Sequence, residues 1–307
     1  MSPAGAFNAT ESPMAGLPID SMKFRVCFQT WIDRWIASVS LLGLLIAGLA
    51  DAAVGQEAGP GGGAKKILIF GDPNPNNPRR QVQLMERSLR LVADAFKAQA
   101  YDVDTIPTGQ LNRASVRERL AHYTRSLTPE DTFVLYSHSH GGERGTFFLT
   151  WSEFAENILA IPAKHVVVFA MSCHSGKLCD ALTAVKSKWE GRKDQGRSLV
   201  VLTPVSADQD AGPSPEPGIG NPFTYAVTTA AQGAADGVSG SAKDGRIELE
   251  ELVAYVIRTT REKSMRQSYR PQFAGEFPPG TVFFPNFPPS NPGTAAAVIQ
   301  PENVRAK

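Results

Sequence analysis

Two stretches decide how this chain folds: 131–142, DTFVLYSHSHGG, and 165–176, HVVVFAMSCHSG. Each opens on a short apolar run rich in β-branched and aromatic residues, and each closes on glycine. Runs of that length, flanked by polar turn formers, read as strands buried on both faces. Between them, Trp151 to Leu159 carries apolar residues at helical spacing. Strand, helix, strand is the unit from which parallel sheets are built.

Working outward, the same alternation continues. Lys66 to Phe70 (KILIF), Tyr101 to Ile106 and Ser198 to Val205 (SLVVLTPV) read as further strands. Gln83 to Gln99, Arg113 to Leu127, Gly176 to Trp189, Phe223 to Gln232 and Ile247 to Thr260 carry helical patterns. The expectation is a three-layer α/β fold: a mostly parallel sheet of about six strands with helices on both faces.

The flanks differ in kind. Residues 1–52 read as an N-terminal extension and signal peptide: Lys23, Arg25 and Arg34 precede the apolar run Trp35 to Ala50, and Ala50 and Ala52 give a small-residue cleavage spacing. The run is about 15 residues, short of the roughly 20 that span a bilayer. The body is therefore expected to be exported, periplasmic or secreted; a membrane enters only if the segment stays uncleaved and anchors the chain. Residues 53–64 form a Gly-rich linker, 65–284 a single domain, and 285–307 a loose Pro/Ala-rich tail. A formal net charge of +1 gives no electrostatic reason to expect nucleic acid as a partner. Three cysteines, one of them (Cys27) in the signal segment, exclude a disulfide-stapled scaffold.

In open parallel sheets, ligands bind beyond the carboxyl ends of the strands. Here two such ends carry SHSHGG (137–142) and MSCHSG (171–176). If the strands are neighbours, a histidine and a cysteine face one crevice. Thiol, imidazole and glycine-freed backbone N–H groups together suit acyl transfer.

Strand, His-Gly, strand, Cys resembles the core signature of the caspase-like cysteine peptidases: caspases, metacaspases and legumains. SCHSG is similar to the DCCHSG stretch of metacaspases and the EACESG stretch of legumains. NNPRRQ (76–81) resembles a legumain stretch after the first strand, PVSADQDA (204–211) the substrate-pocket loop, and FTYAV (223–227) the helix after it. The resemblance covers roughly 65–284 and implies a caspase-like fold in an exported member of bacterial type. It implies a cysteine endopeptidase acting on protein or peptide substrates, with Cys173 as nucleophile and His140 as acid toward the leaving amine. The oxyanion hole falls to the N–H groups of Gly141 and Cys173. In such peptidases His and Cys flank the scissile bond, so no third carboxylate is called for. The position two before the cysteine, acidic in metacaspases and legumains, is Met171 here, which argues against a basic P1 residue. Arg79 at the legumain-like pocket position, with Asp208 or Asp210 opposite, would instead suit a polar or acidic P1.

The same residues admit other readings. A Cys173–Cys179 disulfide runs into the helix expected from about Ser175, where the two side chains diverge. His138, His140, Cys173 and His174 have the ligand types of a zinc hydrolase, but His174 should point away from Cys173. KDGRIELEEL (243–252) matches the second half of an EF-hand loop, while Gly240 and Ala242 supply no carboxylates in the first half, so no cofactor is expected and calcium dependence is unsupported. His122 and His165 read as structural. A non-catalytic caspase-like binding module is the alternative from another class.

Overall fold

The computed structural model describes residues 63–72, 79–216, 220–285 and 287, with the side chains of 79–81 left out. The expected extension and signal peptide (1–52), most of the linker and nearly all of the tail lie outside the described residues.

A six-stranded sheet runs in the order β2-β1-β3-β6-β7-β9, formed by Asp102–Thr105, Lys65–Gly71, Thr132–His138, His165–Met171, Ser198–Thr203 and Gln272–Glu276. The first five strands are parallel and β9 pairs antiparallel with β7. That last strand was not legible in the sequence: QFAGE has no apolar run, and its Gly275 packs directly against the Leu199 backbone.

Side chains alternate across the sheet, as the pleat requires. Ile67, Ile69, Val134, Tyr136, Val167, Phe169, Val200 and Leu202 pack to one side, under helices α1 (Arg79–Ala98), α5 (Pro222–Thr229) and α6 (Leu249–Lys263). Leu68, Phe70, Phe133, Leu135, Val166, Val168, Leu199 and Val201 pack to the other, under α2 (Arg113–Ser126), α3 (Trp151–Ala160) and α4 (Gly176–Ala184). Burial on both faces explains why the strands read as unbroken apolar runs. Helix starts follow from their caps: Asn112 and Thr150 each close a capping box, and Asn221 accepts from Phe223 and Thr224 N–H. The helix expected over 176–189 stops at Ala184 and continues as short 3₁₀ turns. Two further pairings are small: the hairpin β4–β5 (Gly141–Gly142, Gly145–Thr146) and the pair β8–β10 (Ile247–Glu248, Val282–Phe284).

His165 starts β6, its Nδ1 2.9 Å from Ser198 Oγ. Burial, helped by Lys164, lowers its pKa from 6.5 to about 4. The unfolded chain thus takes up this proton near pH 6.5 while the fold resists until about 4, so stability from the neutral ring is complete above 6.5 and drains as pH falls between those values. Melting curves from pH 7 to 4.5 should show His165→Gln losing stability less steeply than the parent, by up to about 1.4 kcal/mol per pH unit. Parallel curves would mean the ring is not sheltered.

Candidate active site

β3 and β6 are neighbours, paired in register from Thr132↔His165 to His138↔Met171, and Ser139 N–H extends the ladder to Met171 O at 3.0 Å. Two residues beyond the last pair stand His140 on one strand and Cys173 on the other. Both residues therefore stand just past the same end of neighbouring strands. The two motifs thus leave the sheet on adjacent strands at the same end.

The backbones meet closely there. A Cβ added at Gly141 would overlap the carbonyl oxygen of Cys173 and lie 2.9 Å from Ser172 Oγ. Only glycine allows that approach. Gly141 also opens the β4–β5 hairpin, which α3 backs through Trp151 Nε1, donating to Gly142 O at 3.0 Å. His140, just before it, is exposed. His138, at the end of β3, differs from it in setting. Its Nδ1 is buried without a hydrogen-bond partner, and burial, then the charge of His140, lowers its pKa to about 4. A neutral structural imidazole is the result.

Cys173 is half-buried and Cys179 is buried in α4; both are free thiols. The Cys173 sulfur accepts the Ala211 N–H at 3.3 Å and lies 3.6 Å from Ala211 O. Burial raises its pKa and the carboxylate of Asp210 raises it further, while the Ala211 N–H pulls it down. The next residue, His174, has φ of 54°, a left-handed conformation that costs a non-glycine residue about 1–2 kcal/mol. Its contacts offset that cost: its N–H donates to Gln209 O at 2.8 Å, its Nδ1 lies 2.9 Å from Ala207 O, and its Nε2 faces Asp210 Oδ1 at 3.4 Å. These contacts pin the 204–212 loop to the turn that carries Cys173. The far side of that loop is tied by Tyr269 Oη to Gly212 O at 2.6 Å and by Gln209 Nε2 to Ser268 O at 2.9 Å.

The expected pocket residues fall in different places. Met171 is 6% exposed and belongs to the core beside Phe169 and Phe223. Asp208 accepts from Ser206 Oγ at 2.6 Å and pairs with Arg270 at 2.7 Å, and these, the hydroxyl foremost, hold its pKa down at about 2. Asp210, 81% exposed at the side chain, stands against the thiol and His174. Arg79 opens α1, and its side chain is outside the described residues. Sequence reasoning missed Glu143, which pairs with Lys177 and faces His174 Nδ1 at 3.8 Å, and Asp72, which follows β1. The signal for Asp72 was its place directly after an apolar run and a glycine, at a third strand end.

Among the described residues no three His, Cys, Asp or Glu side chains gather as a metal would require. In the EF-hand-like stretch, Asp236 accepts the N–H groups of Asp244 and Gly245 at 3.1 Å, and Glu251 those of Gly237 and Glu248 at 2.8 and 2.9 Å. Those carboxylates tie the turn together.

Fold and sheet order define a caspase-like α/β protein. The chain is similar to caspase-1 from Spodoptera frugiperda, with a TM-score of 0.51 and 10% identity over 78% of this chain and 98% of that one. A Geobacter sulfurreducens protein matches with a TM-score of 0.41 and 18% identity over 71% and 99% of the two chains. No family model and no curated protein sequence matches the chain. The likeness to the insect caspase establishes architecture; what the site does must come from its own residues.

Proposed function

We propose that this chain is an exported cysteine endopeptidase that cleaves peptide bonds through a thioacyl-enzyme on Cys173. The observation that carries this reading is the β3–β6 register, which sets His140 and Cys173 at equal offsets beyond paired residues. The Cys173 sulfur gives up its proton to His140 and attacks the scissile carbonyl. The N–H groups of Gly141 and Cys173 receive the oxyanion. As the carbon–nitrogen bond breaks, His140 passes the proton to the leaving amine. Water, deprotonated by His140, then hydrolyses the thioester, and an amine in its place would give transpeptidation or ligation. A broad peptide library and a thiol-directed electrophile test the reading; cleavage together with labelling at Cys173 supports it. A non-catalytic binding module would give neither.

Asp210 supplies the selectivity in this reading. Glu143 and Asp208 are paired with Lys177 and Arg270, so among the described carboxylates at the mouth it is Asp210 that faces the nucleophile without a Lys or Arg against it. With Met171 in the core and so no guide to the pocket, Asp210 suits a lysine or arginine before the scissile bond, in place of the polar or acidic residue expected from the sequence. Such a cation would also offset the charge that disfavours the thiolate. Asp210→Asn should lower kcat/KM for Arg-P1 peptides about tenfold to a hundredfold and leave Ala-P1 peptides little changed. Equal effects on both would count against Asp210 as the selector.

A further inference from the structure

At the end of the sheet opposite Cys173, the turn GRKDQGR (191–197) leads into β7. Gly191 and Gly196 take φ of 88° and 71°, which lets so short a turn close. Arg197 N–H donates to Arg192 O at 3.0 Å, so the two arginines leave neighbouring points of the backbone. Their guanidinium groups then run to one stretch of chain, the end of α3 and the connection to β6. Arg192 Nη2 donates to Leu159 O at 3.0 Å, and Arg197 Nη2 to Pro162 O at 3.0 Å and Ala163 O at 3.3 Å. Lys164, whose carbonyl accepts the Ser198 N–H at 2.9 Å, adds a third cation to the same end of the sheet.

Among the described residues neither arginine, nor Lys164, joins an ion pair. Arg192 Nη1 and Arg197 Nε are buried and have no hydrogen-bond partner. Unused donors on sheltered cations are costly. Burial, then the charge of Arg197, lowers the Arg192 pKa, and Glu276 of β9 opposes them. The Glu276 Oε1 accepts the Lys193 N–H at 3.3 Å. Each arginine as a whole is only half-buried, which leaves the turn open to an ion from solution. A guanidinium fork matches the edge of a tetrahedral oxyanion, and two of them match the charge of a dianion.

We infer that the 191–197 turn is an oxyanion site in which Arg192 and Arg197 hold a phosphate group between them, with Lys164 adding to the positive field. It lies at the far end of the strands from Cys173 and does not depend on the peptidase reading.

Sodium phosphate titrated into the whole chain near pH 8, with sodium chloride at matched ionic strength as control, should raise the melting temperature saturably. An ion held only by the folded chain stabilises it in this way. Half-saturation should fall on the order of 1 mM or below. Phosphate should also shield Arg192 and Arg197 from phenylglyoxal, read by mass mapping. Arg192→Gln and Arg197→Gln should each weaken binding about tenfold or more, the loss of a charge-assisted hydrogen bond. Both arginines also tie the α3–β6 connection, so the shielding of the parent decides the case where a variant fails to fold. O-Phosphoserine in place of phosphate separates a site open to phosphomonoesters from one confined to the free ion; protection by either supports the site. A parent that phosphate stabilises no more than chloride would overturn the inference. So would arginines that phosphate leaves unshielded, or variants that fold and bind like the parent.

Discussion

Cys173→Ala is expected to reduce peptide hydrolysis by about 10⁴ to 10⁶, to background, since the nucleophile of a covalent mechanism has no substitute. The variant should fold, because the thiol is half-buried at a turn and makes only weak sulfur contacts with Ala211. Labelling by a thiol-directed electrophile should vanish at the same time. The second cysteine of the domain serves as an internal control: Cys179 is buried in α4 and its thiol is pushed up to about 12, so it stays unreactive in the native fold. Mass mapping of the label to Cys173 in the parent, and its absence in the variant, would complete the case. Turnover within tenfold of the parent would end it.

Gly141→Ala should give the next largest loss, for a different reason. Its Cβ would occupy the position of the Cys173 carbonyl oxygen, so the two strand ends must part. That shift moves a proposed oxyanion donor, and losing one such donor costs about 10² to 10³ in kcat. Gly142→Ala is the matched control, since an added Cβ there meets nothing within 4 Å. The first variant should lose turnover and the second keep it. If both behave alike, close approach at Gly141 has no part in the chemistry.

Both variants lie in motifs that could be read from the sequence, and that is no accident. DTFVLYSHSHGG and HVVVFAMSCHSG declare their strands through unbroken apolar runs and their site through the histidine, cysteine and glycines that close them. The parallel core, with the strands that precede His140 and Cys173 side by side, was therefore legible. What escaped was encoded in pairing alone. β9 lies at the sheet edge, where one neighbour and little apolar content suffice, and QFAGE carries no period that marks it. The pocket fared worse than the fold. Met171 looked like a pocket wall because of its offset from Cys173, but the sheet's alternation turns it into the core. Asp208 and Asp210 are indistinguishable in ADQDA; only the placement of Arg270, a partner 62 residues away, separates a committed carboxylate from an uncommitted one.

The proposed nucleophile Cys173 and His140 hang from β6 and β3, whereas the 204–212 segment hangs from β7 and is clipped on by His174, Gln209 and Tyr269. On the proposed function, reaction and diet would thus be inherited from separate strands. A lineage could rewrite that segment to accept new sequences, provided the clips survive, without touching the machinery that breaks the bond.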